Sequence, residues 1–181
     1  MEKKDLDWGN IGFSYMPTDK RYVANYKDGA WDGGAMTSDP NVVINECAGI
    51  LQYCQEIFEG LKAYTTEDGS IVTFRPDLNA ERMMDSARRL EMPPFPKERF
   101  LEAVDQVVKA NAAWVPPFGS GATLYLRPYM FASGPVIGVK PSQEYQFRLF
   151  GTPVGPYFKG GAKPLTLCVS DFDRAAPNGT G

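Results

Sequence analysis

The sequence predicts an α+β fold: a two-layer α/β domain with helices packed on a sheet, followed by the start of a second domain. Three observations carry that prediction. Two adjacent stretches in mid-chain place apolar residues at three- and four-residue steps. Two hairpin-like patterns with Gly-containing turns precede them, and two long strand-like runs follow.

The first hairpin is read in residues 21–32, RYVANYKDGAWD. Tyr22, Ala24 and Tyr26 alternate with Arg21, Val23 and Asn25, and Asp28-Gly29 marks the turn. Residues 42–45 (VVIN) read as a short strand. A second hairpin is expected from residues 61–66 and 70–75 around Glu67-Asp68-Gly69, fed by a short turn or helix. Gly60 just before it permits a backbone conformation or a close approach that a side chain would block.

The first helix is predicted over 77–90, started by Pro76 or Asp77, with Ala80, Met83, Met84, Ala87 and Leu90 on one stripe. Pro93-Pro94-Phe95-Pro96 ends it. A second helix over about 97–111 turns Phe100, Leu101, Val104, Val107 and Val108 to one side. Strands are predicted at 122–131 and 145–152. Between them, residues 132–142 form a Gly/Pro loop whose Val136, Ile137 and Val139 look exposed, a pattern that marks a partner surface. Gly and Pro crowd residues 155–163, and LTLCVS at 165–170 reads as a new strand. The domain boundaries are therefore 1–154, a linker at 155–164, and a first segment of a second domain at 165–181.

Composition narrows the chemistry. The 181 residues contain no histidine, which excludes Ser-His-Asp and Cys-His catalysis and His-based zinc sites. A net charge of −3 argues against nucleic acid as a partner. No run is apolar enough to span a membrane, and the opening MEKKDLDWGN has no apolar stretch behind it, so a cytoplasmic protein is expected. Cys47, Cys54 and Cys168 are odd in number and form no CxxC pair, so they read as small buried thiols and no metal is expected. Any catalysis must then draw on lysine, tyrosine, carboxylates or a bound cofactor.

Alternation on the strand at 122–131 puts Tyr125 and Arg127 on one face. A phenol beside a guanidinium suits a carboxylate. A solvated strand face with a salt bridge has the same pattern, and spacing alone leaves both readings open.

One stretch gathers more chemistry than any other: LQYCQEIFEGLKAY at 51–64. With Phe74-Arg75-Pro76, Asn79-Ala80-Glu81-Arg82-Met83 and the LYLRP run at 124–128, it resembles the branched-chain amino acid aminotransferases, which are fold-type IV pyridoxal-phosphate (PLP) enzymes. The resemblance runs from Trp8-Gly9 to Asn178-Gly179-Thr180-Gly181. It implies reversible amino transfer from leucine, isoleucine or valine to 2-oxoglutarate, with pyridoxal 5'-phosphate as cofactor and glutamate and 2-oxo acids as the other small-molecule partners. It assigns Arg82 to the cofactor phosphate, and Tyr53, Phe58, Tyr125, Arg127 and Tyr157, with Trp8, to the substrate pocket. It also implies a homodimer whose loop at Ile137 and Val139 reaches the partner's pocket.

The resemblance places the Schiff-base lysine beyond Gly181, so no catalytic residue is expected within the chain and the chain alone is expected to be inactive. Lys62 and Lys159 are assigned to the solvated surface. The alternatives are a non-catalytic dimerising or ligand-binding module, or part of a related D-amino acid aminotransferase or aminodeoxychorismate lyase.

Overall fold

The computed structural model describes residues 2–158 and 163–169. Strand β1 (Arg21–Lys27) turns at Asp28-Gly29 into β2 (Ala30–Trp31), and β3 (Ala35–Thr37) also pairs with β1. Both turn residues have positive φ, as a two-residue turn needs if it is to follow the right-handed strand twist. A short α1 (Gly49–Tyr53) leads into β4 (Glu56–Phe58), and β5 (Leu61–Thr65) and β6 (Ile71–Thr73) form the second hairpin. Two helices follow, α2 (Pro76–Arg89) and α3 (Lys97–Ala110), then the long strands β7 (Thr123–Ala132) and β8 (Tyr145–Val154). The sheet runs β2-β1-β8-β7-β5-β6, with β4 also paired to β7, and every pairing is antiparallel.

The helices cover one face of this sheet. Ala80, Met83 and Ala87 of α2, and Phe100, Val104 and Val107 of α3, share one core with Leu124, Leu126 and Met130 of β7 and Phe147 and Leu149 of β8. Phe147 is the centre: Phe95 stacks on it at 3.9 Å between centroids, and Phe100 and Tyr22 tilt onto it. The predicted apolar stripes are the buried ones because each helix offers a single apolar side to the sheet. The α3 end is closed by buried Asn111, whose amide donates to Lys20 O and Val107 O and whose oxygen accepts Lys20 N–H.

Four expectations differ from the structure. Residues 42–45 form no strand, and Val43 is 92% exposed. The backbone around them is taken by side chains instead: Asp39 accepts Asn41 N–H and Asn45 accepts Cys47 N–H. Residues 163–169 form no strand either, since no neighbouring strand pairs with them among the described residues, and Leu167 and Val169 are exposed. The thiols are not buried: Cys54 and Cys168 are exposed and Cys47 is half-buried. Cys54 sits in the left-handed conformation that ends α1, a turn open to solvent. Val136 is buried, its N–H bonded to Cys47 O, which leaves Ile137 and Val139 as the exposed apolar residues of the 132–142 loop. The 155–164 linker and the second-domain segment fall partly outside the described residues.

A strap at the N-terminus completes the domain. Met16 N–H donates to the Thr152 hydroxyl, Thr18 Oγ1 donates to Gly151 O, and Gly155 N–H donates to Gly12 O. A Cβ on Gly155 would stand 1.9 Å from Ile11 O, so only glycine allows this approach. Residues 11–18 are thereby laid along the far end of β8.

Truncating Phe147 to alanine removes the ring on which three others pack. The expected cost is about 3–5 kcal/mol, the range for Phe→Ala in a core, read as a lowered denaturant midpoint with an unchanged slope. A loss below about 1 kcal/mol would mean that this ring does not centre the core.

Candidate functional site

Strand alternation decides which side chains leave the core. Leu124, Leu126, Pro128 and Met130 of β7 are buried against the helices, so Tyr125, Arg127 and Tyr129 stand on the opposite face. The β4–β7 register places Phe58 across from Tyr129, and the β5–β7 register places Lys62 across from Tyr125.

On this face Arg127 is held by three contacts. Its Nε donates to the Tyr125 hydroxyl at 3.0 Å, and its guanidinium lies 4.4 Å from the Phe58 ring centroid and 5.3 Å from that of Tyr125. Each ring contributes about 0.5–1 kcal/mol at a partly open position and fixes the plane of the cation. No carboxylate pairs with Arg127 among the described residues. Gly60 makes the arrangement possible, because a Cβ there would fall 2.5 Å from the Tyr125 hydroxyl. The open side of Tyr125 is lined by Phe13 at 6.2 Å, and Tyr157 meets Phe13 edge-on at 5.3 Å. The result is a half-open wall of rings around one oriented cation.

Beside it stands Arg82 on α2. Its Nε and Nη2 donate to the two oxygens of Glu59 at 3.1 and 2.8 Å, and Asn79 Nδ2 donates to the same carboxylate at 2.8 Å and to Gly60 O at 3.2 Å. Glu59 is 11% exposed and Arg82 59%. The acid is therefore a nearly buried anchor and the guanidinium an open, pre-oriented donor whose Nη1 edge is not used by Glu59. Such an edge suits a phosphate, so the donor set fits a phosphorylated cofactor at this corner. Arg75 and Arg88 are committed elsewhere, to Asp77 and Asp85.

The remaining predicted residues are placed differently. The Tyr53 hydroxyl donates to Ile137 O, which ties the end of α1 to the 132–142 loop rather than to Tyr125. Trp8 opens a short 3-10 turn and is half-buried, and the ring that this segment lends to the cluster is Phe13. Lys62 is exposed on the Tyr125 side, and Lys159 lies outside the described residues. Sequence reasoning does not single out Phe13, Glu59 or Asn79. Glu59 carries a local signal, an acid inside the apolar FEGLKAY run. Asn79 and Phe13 carry none, since each matters through a partner distant along the chain.

In sequence, a protein of Haemophilus influenzae named branched-chain-amino-acid aminotransferase is 55% identical over 178 residues, covering 98% of this chain and 52% of its own length. This chain belongs to the branched-chain aminotransferase family. It spans about half the length of the curated relatives it matches. No family model matches the chain. Among solved structures, the Escherichia coli branched-chain amino acid aminotransferase superposes over 91% of this chain and 50% of its own, with a TM-score of 0.69 and 23% identity, which shows the shared fold. Another solved branched-chain amino acid aminotransferase, complexed with N-(5'-phosphopyridoxyl)-L-glutamate, matches 70% of this chain and 40% of its own at a TM-score of 0.50 and 24% identity.

Two outcomes test the geometry. Gly60→Ala should push the Tyr125 hydroxyl off Arg127, seen as loss of a distinct Arg127 Nε–H resonance with the melting temperature changed by only a few degrees; an unchanged resonance would deny the close approach. At the start of α2, the paired Arg75 guanidinium holds the Asp77 carboxyl down to about 2. A depressed acid stabilises the fold above its unfolded value of about 3.9 and loses that contribution as pH falls through the folded value. Carboxyl NMR should thus give Asp77 a midpoint near the lower value and Arg75→Gln should raise it; a wild-type midpoint at the ordinary value would show that the ion pair does not form in solution.

Proposed function

We propose that the protein containing this chain is a branched-chain amino acid transaminase, moving an amino group reversibly from leucine, isoleucine or valine to 2-oxoglutarate with pyridoxal 5'-phosphate as cofactor. The observation that carries the reading is the oriented, unpaired Arg127 between the rings of Phe58 and Tyr125. One wall then serves two unlike substrates. The rings of Phe58, Phe13, Tyr125 and Tyr157 offer an apolar surface to an aliphatic side chain. Arg127 and the Tyr125 hydroxyl offer paired donors to the second carboxylate of 2-oxoglutarate or glutamate.

Arg82 would hold the cofactor's phosphate, and Glu59 with Asn79 would keep its guanidinium in place before the cofactor arrives. The bound cofactor supplies an electron sink for the amino-group transfer, so the residues of this chain are needed for binding and orientation. An apolar wall separates side chains that differ by one methylene by only about 1–3 kcal/mol, which supports use of all three branched-chain substrates.

The same reading includes a cytoplasmic homodimer in which the exposed Ile137 and Val139 face the partner. The Tyr53–Ile137 hydrogen bond supports it by anchoring that loop to the site's own α1. It assigns the lysine that would hold the cofactor covalently to residues after Gly181, so the 181-residue chain is taken to be inactive by itself.

The test is a comparison of Michaelis constants in the enzyme that carries this chain with its C-terminal half. Arg127→Gln should raise the KM for 2-oxoglutarate by about tenfold or more, the loss of a charged hydrogen bond, and change the KM for leucine much less. Equal effects on both would rule out Arg127 as the receptor of the second carboxylate. Leucine-dependent turnover by the 181-residue chain alone would refute its inactivity.

A further inference from the structure

A second cluster on the same sheet face takes no part in the proposed amino transfer. Arg21 of β1 and Arg148 of β8 are both buried, at 4% and 7% exposure. They are neighbours by register: Arg148 pairs with Val23, and Arg21 is two residues from Val23 on the same side of β1. Like charges so placed repel, and a buried charge is costly unless a counter-charge is near. Their acceptors are neutral. Arg21 donates to Ser38 O and to Thr18 O at 3.1 Å; Arg148 donates to Asn41 O at 3.1 Å and to Gln146 Oε1 at 3.4 Å.

Neither arginine forms an ion pair among the described residues. Asp39 is an acid that feels the charge of both. Its carboxyl is held below the usual range first by Asn41, through both its N–H and its amide, and only then by the charges of Arg148 and Arg21. One exposed carboxylate, already occupied by Asn41, faces two guanidinium groups.

The two arginines line a hollow of about 490 Å³, inside the range of small-molecule sites. Its remaining walls are largely apolar: Tyr15 and Phe150, which meet edge-on at 5.9 Å, Tyr129, which meets Phe150 at 6.0 Å, and Pro40. The N-terminal strap that brings Phe13 to Tyr125 also brings Tyr15 to this hollow. We propose that the hollow is a binding site for a small organic anion, its carboxylate against Arg21 and Arg148 and its hydrocarbon or aromatic body between Tyr15, Tyr129 and Phe150. The buried donors select the negative charge, and the rings exclude anions too hydrated to shed their water. Arg127 is not part of this lining: it pairs across the ladder with Phe150, one step along from the Tyr129–Arg148 pair.

Benzoate is the probe, with benzamide as its neutral counterpart and inorganic phosphate as an anion without an apolar body. In amide NMR titrations of the 181-residue chain, benzoate should give saturable shifts at Tyr15, Tyr129 and Arg148, while benzamide and phosphate should not. Arg148→Gln should weaken benzoate about tenfold or more, Arg148→Lys should weaken it less, and Arg127→Gln should leave it within about twofold. Equal binding of benzamide, an Arg148→Gln affinity equal to wild type, or loss of binding in Arg127→Gln would each overturn the proposal. So would the absence of any saturable shift. If Arg148→Gln does not fold, the wild-type comparison of benzoate with benzamide still decides.

Discussion

The antiparallel ladder between β7 and β8 is the constraint on which the rest of the structure depends. It runs without a break from Thr123 opposite Val154 to Ala132 opposite Tyr145. Side chains on a strand alternate, so one unbroken register sorts two rows at once. Leu124, Leu126, Met130, Phe147 and Leu149 go to the helices and make the core; Tyr125, Arg127, Tyr129, Arg148 and Phe150 go to the other face. A slip of one residue would bury the guanidiniums under α2 and α3 and expose the core. The stability of the core and the chemistry of the open face are thus two results of the same pairing.

Four cations of the domain are held in two ways. Arg127 and Arg82 are oriented but accessible, one by aromatic rings and a phenol, the other by a nearly buried carboxylate. Arg21 and Arg148 are buried and satisfied by neutral oxygens. A guanidinium keeps several donors after one edge is used, so all four can be held in place and still present N–H groups. Apolar rings lie beside Arg127 and around the Arg21–Arg148 hollow, and together they suit anions that carry a hydrocarbon part. This is the common physical basis of the transaminase reading and of the second anion site.

Much of the fold is legible from the chain. The helices at α2 and α3 follow from apolar spacing, and Pro76 and the prolines at 93–96 mark their limits. Both hairpins follow from turn residues that accept positive φ. Residues 42–45 mislead because β-branched residues signal a strand only where a partner strand is available, and in this loop Asp39 and Asn45 take the backbone first. The exposed thiols mislead because cysteine is usually buried, while Cys54 is fixed by a helix end rather than by its own hydrophobicity. In the site, strand alternation is enough to pair Tyr125 with Arg127. Nothing local assigns Tyr53 to the 132–142 loop, or Phe13 to the ring cluster, because those contacts span long stretches of chain.

By itself the sequence determined the periodicities: which residues share a helix stripe and which share a strand face. These are local properties, set by backbone geometry and composition. Only the tertiary structure decided the partners. Glu59 meets Arg82 and Asn79 from another element, the N-terminal strap brings Phe13 to Tyr125 and Tyr15 to Phe150, and β1 sets Arg21 beside Arg148. Such pairs form where sheet register and packing close long loops, and no local pattern encodes the outcome of that closure.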